Sequence, residues 1–372
     1  MSIYDEIGMR RVLNASGSMT YLGGSLIAPE VVEKMTEASR SFVVMEELLE
    51  WACNEVARLT DTEAALVTTG TAGGILLATA AVLTGTDRQK MRSLPSVGPK
   101  IEILAQVPHR IGFDHAIGVA GGRIVEVGGS QGATRQELAA AIGPNTAAVF
   151  YVVLDPKPSL PLADVVEIAH DKGIPVIVDA AAELPPASNL NAFYAAGADL
   201  VLFSGGKDIS GPNDTGILCG KAEWVAAARG QAFPNPGIGR PLKVSKEQLV
   251  GLVFALRRFV ALDETDRLAR WQGMSERMRD ALQDIDGVQG EVAFPTRGGR
   301  PLCIPRTRLA IDEATVGRSI GKLDDILEGG DPAVAVFADV AHSAIWLNPQ
   351  HLQDGQEIAV AQRVREVLAG AS

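Results

Sequence analysis

Continuous apolar runs alternate with stretches of helical spacing through much of this chain. Ala64 to Val67, Ile101 to Val107, Ala147 to Leu154, Ile174 to Asp179 and the run opening at Leu200 have the β-type, apolar character of strands covered on both faces. Ile75 to Leu83 and Leu162 to Lys172 read as helices between them, and this alternation is the signature of a parallel sheet. Upstream, Pro29 to Arg40 predicts a helix opened by an early proline. Met45 to Thr60 predicts another, with Leu48, Leu49, Ala52, Val56 and Leu59 near helical spacing. The first dozen residues and Met19 to Ala28 look irregular, and Thr86 to Lys100 reads as a loop.

Phe233 to Lys243, rich in proline and glycine, breaks the pattern and is the hinge candidate. After it, Ser245 to about Ala281 is strongly helical, with Ser245 and Gln248 in capping-box spacing. Strand-like pieces follow at Gly290 to Phe294, Leu302 to Pro305 and Val334 to Phe337. The pattern predicts an α/β protein with an N-terminal segment at 1–13, a large domain at 14–244 on a mostly parallel sheet, and a linking helix with a smaller α/β domain at 245–372. A chain of 372 residues that is 47% hydrophobic can bury a core of that size.

The candidate chemistry sits at strand ends. Leu200 to Gly211 reads L-V-L-F-S-G-G-K-D-I-S-G. A lysine delivered from the end of a buried strand, with glycines admitting a cofactor ring close to the backbone, suits covalent capture of a carbonyl by Lys207. A surface lysine in a strand-to-loop turn has the same local sequence. The segment upstream changes the balance, because Asp179 closes the strand-like I-P-V-I-V-D at the edge where open α/β sheets build their sites. Aspartate and lysine in that order fit the pair a pyridoxal phosphate enzyme needs: the carboxylate keeps the pyridine nitrogen protonated and the amine holds the aldehyde. The turn T-T-G-T-A-G-G at Thr68 to Gly74, between a strand and a helix, offers backbone N–H groups to a phosphate without a basic side chain.

This order of phosphate turn, strand-end aspartate and Ser-Gly-Gly-Lys resembles the fold-type I pyridoxal 5'-phosphate enzymes. N-A-S-G-S at Asn14 to Ser18, E-A-A-L-V-T at Glu63 to Thr68, V-D-A-A-A-E-L-P-P at Val178 to Pro186 and A-D-L-V-L-F-S-G-G-K at Ala198 to Lys207 resemble the group containing bacterial selenocysteine synthase and D-glucosaminate-6-phosphate ammonia-lyase, the lyase-like branch most. The resemblance runs from about Asn14 to about Arg258. It implies pyridoxal 5'-phosphate as cofactor, Lys207 as the Schiff-base lysine and Asp179 as partner of the pyridine nitrogen. Ser204, Thr69, Gly70 and Thr71 would be phosphate ligands. His109 falls where related enzymes place a residue stacked on the ring, with His115 as the alternative and a structural histidine open for either. The resemblance also implies a homodimer or higher homo-oligomer, in which Pro212 to Thr215 could reach a partner's cofactor.

Composition narrows the partners. The net charge is −11 and no basic cluster is visible, which disfavours a nucleic-acid surface. The cofactor domain is expected to begin almost at once, so the N-terminal RNA-binding module of the bacterial synthase is not expected. Cys53, Cys219 and Cys303 give neither a disulfide framework nor metal spacing, and the five histidines form no metal motif, so no metal is expected. Without a signal pattern or a long apolar run, the expectation is a cytoplasmic protein with no membrane contact.

The fate of the substrate carbanion separates the possible reactions. Loss of a β-substituent gives a 2-oxo acid and ammonia, return of the proton on the other face makes a racemase or epimerase, and cleavage of Cα–Cβ makes an aldolase. The resemblance favours elimination, a deaminating dehydration of a small hydroxylated amino acid or amino sugar acid. A non-enzymatic cofactor-binding protein ranks lower. For a substrate carboxylate or phosphate the candidates are Arg240, in the G-I-G-R turn, and behind it Arg306, in P-R-T-R, each weighed against an ordinary solvated arginine.

Overall fold

The computed structural model describes residues 2–154, 158–295 and 301–370. The chain folds into two compact units, one of Ile27–Ala261 and one that joins Met1–Leu26 to Leu262–Ser372. The divisions thus fall at Leu26 and Ala261, where the sequence pattern had put them after residues 13 and 244. Helix Lys246–Ala261 explains the second shift, since Leu249, Leu252, Val253, Leu256 and Phe259 are buried in the core of the larger unit. The proline- and glycine-rich hinge candidate at 233–243 therefore lies within that unit.

The larger unit is built on a seven-stranded sheet in the order Ala64–Thr69, Thr215–Gly220, Leu200–Ser204, Val176–Asp179, Thr146–Val152, Glu102–Gln106, Arg123–Val127. Every pairing is parallel except those of Thr215–Gly220, which runs against both its neighbours. Apolar side chains cover both faces of the sheet. Such two-sided burial is why the strands read as unbroken apolar runs.

Helix Gly70–Thr84 begins at the glycine-rich stretch that the sequence suggested was a turn, and it is buried from Gly73 to Thr84. Its glycines serve close approach to the sheet: a Cβ on Gly74 would collide with the Leu202 side chain. Within the expected loop, Asp87 caps a short helix, Arg88–Ser93, accepting from the N–H groups of Gln89 at 2.9 Å and Lys90 at 3.2 Å. The predicted capping box is present, with Ser245 N–H on Gln248 at 2.6 Å and Gln248 N–H on Ser245 at 3.2 Å. The long helical stretch after it is two helices, because Asp263 starts a second, Glu264–Asp280, by accepting from Thr265 N–H at 2.8 Å and Asp266 N–H at 3.1 Å.

The smaller unit has a four-stranded antiparallel sheet, Phe337–Asp339, Ala344–Leu347, Arg306–Ile311, Val288–Ala293. The strand expected at Leu302 to Pro305 begins instead at Arg306, past a proline that has no N–H to give a ladder. Val12–Asn14 pairs in parallel with Ala333–Ala335, tying the chain's start to its C-terminal part. Among the described residues no helix is long and apolar enough to cross a membrane.

Candidate active site

Four parallel strands of the larger unit, Glu102–Gln106, Thr146–Val152, Val176–Asp179 and Leu200–Ser204, lie side by side with their carboxyl ends at one edge. Asp179 ends the third, Lys207 follows the fourth, and His109 closes the turn Val107–His109 after the first. Gly216 pairs on one side with Thr68 and on the other with Ser204. The threonine turn and the lysine turn are thus two strand spacings apart, roughly 10 Å.

The lysine turn is held by its own backbone. Gly205 N–H donates to Thr215 O at 2.9 Å, Gly211 N–H to Gly205 O at 2.8 Å and Ser210 N–H to Lys207 O at 2.9 Å. A Cβ on Gly205 would strike the Thr215 hydroxyl, and one on Gly206 the backbone of Asn213. The two glycines are therefore required where the chain folds back along Thr215–Gly220, a different reason from the room for a cofactor ring that the sequence suggested.

Asp179 is 5% exposed, and Ala181 N–H donates to its Oδ1 at 3.0 Å. Burial pushes its carboxyl up, against the pull of that N–H and of the Lys207 charge. Burial pushes the Lys207 amine down, opposed by the carboxylates of Asp179 and Glu183. Desolvation dominates both, so each group depends on a neighbouring opposite charge to stay ionised. Glu183, 9% exposed, went unassigned in the sequence although it stands in the V-D-A-A-A-E motif.

At the other end of the site, Thr69 and Thr71 flank Gly70, which has φ +63°. Both threonine hydroxyls are buried and make no hydrogen bond among the described residues. No side chain caps helix Gly70–Thr84. An uncapped helix start with two unused buried hydroxyls has donors that a phosphate would fit. Ser204, half-buried, stands across Gly216 from Thr68.

His109 is buried, its ring 4.4 Å from that of Tyr151 in an edge-on contact, while His115 is exposed at the start of helix His115–Val119. Tyr151 lies in the strand Thr146–Val152 and is itself part of the larger unit's core. Arg240 is exposed, with its guanidinium 5.0 Å over the Phe233 ring. Its segment reaches helix Gly70–Thr84 through Leu242, whose Cδ1 lies 3.5 Å from where a Cβ on Gly73 would stand. Arg306 is no solvated arginine. It is 3% exposed at the head of its strand in the smaller unit, and burial lowers its guanidinium to about 10.

The family model for L-seryl-tRNA selenium transferase (SelA) matches residues 12–283. D-glucosaminate-6-phosphate ammonia lyase of Salmonella typhimurium (strain 14028s / SGSC 2262) is 33% identical over 380 residues, which span 100% of this chain and 99% of that protein. 5'-C-glycyluridine monooxygenase-decarboxylase of a Streptomyces species is 35% identical over 376 residues, 98% of this chain and 92% of that one. The solved structure of D-glucosaminate-6-phosphate ammonia-lyase superposes with a TM-score of 0.87 at 32% identity, covering 100% of this chain and 99% of its own. The mostly parallel sheet, the separate antiparallel sheet and these likenesses agree, and the chain belongs to the L-seryl-tRNA selenium transferase family of fold-type I pyridoxal 5'-phosphate enzymes.

Proposed function

We propose that the protein is a pyridoxal 5'-phosphate-dependent ammonia-lyase that eliminates a β-hydroxyl from a small amino sugar acid or hydroxylated amino acid, releasing a 2-oxo acid and ammonia. The full-length likeness to D-glucosaminate-6-phosphate ammonia lyase in sequence and structure carries this reading. The half-buried lysine and buried carboxylate at the sheet's carboxyl edge and, two strands away, a pair of threonine hydroxyls that make no hydrogen bond among the described residues supply residues of the right kind.

In this reading Lys207 holds the cofactor's aldehyde, Asp179 faces the pyridine nitrogen, and Thr69, Gly70, Thr71 and Ser204 take the phosphate. His109 lies against the ring. When bound, the cofactor supplies an electron sink for the pair left behind when Cα is deprotonated. The chain does the rest. Lys207, whose amine burial pushes down, accepts the Cα proton. Asp179, raised by burial, stays ionised through a facing cation, and a protonated ring nitrogen is such a cation. Arg240 holds an anionic group of the substrate from the segment beside helix Gly70–Thr84. The site is completed within at least a homodimer, and full activity in a monomer seen by sedimentation would refute that assembly.

The Streptomyces relative supports a second reading, oxidative decarboxylation of a glycyl nucleoside, because it is as similar over nearly the whole chain. One screen separates the two. Amino sugar acids, their 6-phosphates, D- and L-hydroxy amino acids and 5'-C-glycyluridine are offered, and ammonia, 2-oxo acid, aldehyde, carbon dioxide, oxygen uptake and change of configuration are assayed together. Equal ammonia and 2-oxo acid without oxygen uptake is the expected result. Carbon dioxide with oxygen uptake, or racemisation or aldehyde without ammonia, would overturn the elimination.

A further inference from the structure

We propose that the face around Phe42 is a two-fold interface between two copies of this chain, in which Phe42 of each copy seats in an apolar groove of the other. The inference rests on the homo-oligomer reading above and deepens it by naming the surface.

The short link between helices Pro29–Ser39 and Met45–Thr60 reads R-S-F-V-V-M from Arg40 to Met45. Both of its ends are held, because Ser41 N–H donates to Ala38 O at 3.4 Å and Leu48 N–H donates to Val44 O at 3.1 Å. Between them Phe42 is fully exposed, and Val43 and Val44 are more than half exposed. Apolar side chains gathered in water on a pinned link mark a contact surface. An aromatic ring presented from a fixed backbone is the kind of anchor that dominates an interface.

A receptor for that ring lies on the same face. A groove of about 310 Å³ is lined by Leu48, Val250 and Phe254, and by Ser41 and Val43, the two residues that flank Phe42 in the chain. Its lysines are already neutralised, Lys34 by Glu37 at 3.0 Å and Lys246 by Glu247 at 2.9 Å, so the groove favours an apolar occupant over an anionic one. Knob and groove side by side make the face complementary to itself, which is what an isologous two-fold contact requires.

Charge favours the same pairing. Arg40 precedes the apolar link and Glu46, Glu47 and Glu50 follow it; all four are exposed, and among the described residues none is in an ion pair. A two-fold axis runs the two links antiparallel, which sets Arg40 of each copy beside the acidic end of the other. A membrane surface suits this patch poorly, since the chain has a net charge of −11 and carboxylates border the apolar residues. The face also stands one helix layer from the lysine turn: Met35 of helix Pro29–Ser39 and Pro212 both lie 2.8 Å from where a Cβ on Gly251 would stand.

Sedimentation velocity of the full-length, cofactor-loaded protein over a dilution series tests the proposal. The parent should associate, and Phe42→Asp should raise the dissociation constant of one association step by about thirtyfold or more, the effect of losing an interface anchor. Arg40→Glu alone, and Glu46→Lys with Glu47→Lys, should each weaken that step, whereas the three changes combined should restore it toward the parent. Melting temperatures check that these exposed substitutions leave the fold intact, and Phe42→Ser takes the place of Phe42→Asp should the aspartate not fold. Parent-like association in the folded Phe42 variant overturns the proposal while leaving the homo-oligomer to another face. Weakening without rescue by the combined charge swap overturns the two-fold pairing. A parent that stays monomeric at every concentration sinks the homo-oligomer reading itself, and its adsorption to phosphatidylcholine vesicles through Phe42 would give the patch to lipid.

Discussion

Thr69 and Thr71 stand on either side of Gly70 with both hydroxyls buried, and neither finds a hydrogen-bond partner among the described residues. A buried polar group left unsatisfied costs about 1–3 kcal/mol, so two of them at an uncapped helix start would be stabilised by a ligand that accepts hydrogen bonds. Replacing either with valine should leave the cofactor-free chain as stable as the parent or more so. Pyridoxal 5'-phosphate affinity should fall by about tenfold for each, the equivalent of ~1.4 kcal/mol. Melting without cofactor and equilibrium titration with it measure the two effects. Unchanged affinity alongside a lower melting temperature would assign the threonines to folding alone.

Asp179 combines deep burial with an upward-shifted carboxyl, a costly combination unless a cation faces it. Asp179→Asn should fold and still take up cofactor, but exchange of the substrate's Cα proton into deuterated solvent should slow by orders of magnitude. Exchange at the parent's rate would remove Asp179 from the chemistry.

Gly216 lies between the two halves of the site, and a Cβ there would come within 2.5 Å of the Gly70 backbone and 2.8 Å of the Thr68 hydroxyl. Gly216→Ala should destabilise the chain by about 1–3 kcal/mol through overpacking. It should also weaken cofactor binding if the displaced atoms, at Gly70 and Thr68, belong to the proposed phosphate site. Urea unfolding of the cofactor-free protein and cofactor titration check the pair of effects; a tolerated alanine with parental affinity would contradict the packing seen here.

Away from the site, Arg58 and Arg257 each hydrogen-bond Glu55 at 2.7 Å and hold its carboxyl at about 2, below the ordinary 4.5. A carboxyl depressed in the folded state stabilises the protein above its unfolded value and loses that contribution as pH falls from about 4.5 to about 2. Both arginines are substantially exposed, so screening reduces the contribution to about 1 kcal/mol. Glu55→Gln should therefore lower stability by that amount at neutral pH and by little at the acid end. Urea midpoints of both proteins at the two pH values measure it, and a difference that persists in acid would point to packing in place of charge.

The local segments of the site were legible because each is short and contiguous. An apolar strand ending in Asp179, another running into Ser-Gly-Gly-Lys207, and a Thr-Gly-Thr stretch before a helix can all be read within a few residues. Burial of Glu183 was not legible, since it depends on a turn closing against a strand that arrives later in the chain. Arg240 and Arg306 looked alike in sequence, yet one is exposed and the other buried, because exposure is set by what packs on a residue and not by its neighbours in the chain.

Helix Met45–Thr60 shows what the amino-acid order decides alone: apolar spacing and helix propensity act within a few turns, and its predicted limits are those observed. The apolar strands likewise announced a sheet covered on both faces. Tertiary structure decided what joins segments far apart. It placed Thr215–Gly220 in reverse between Ala64–Thr69 and Leu200–Ser204, paired Val12–Asn14 with Ala333–Ala335, and drew Lys246–Ala261 into the larger unit. Strand partners and buried faces are chosen by the free energy of the whole packed chain, in which hydrophobic burial and backbone pairing between distant segments outweigh local preference.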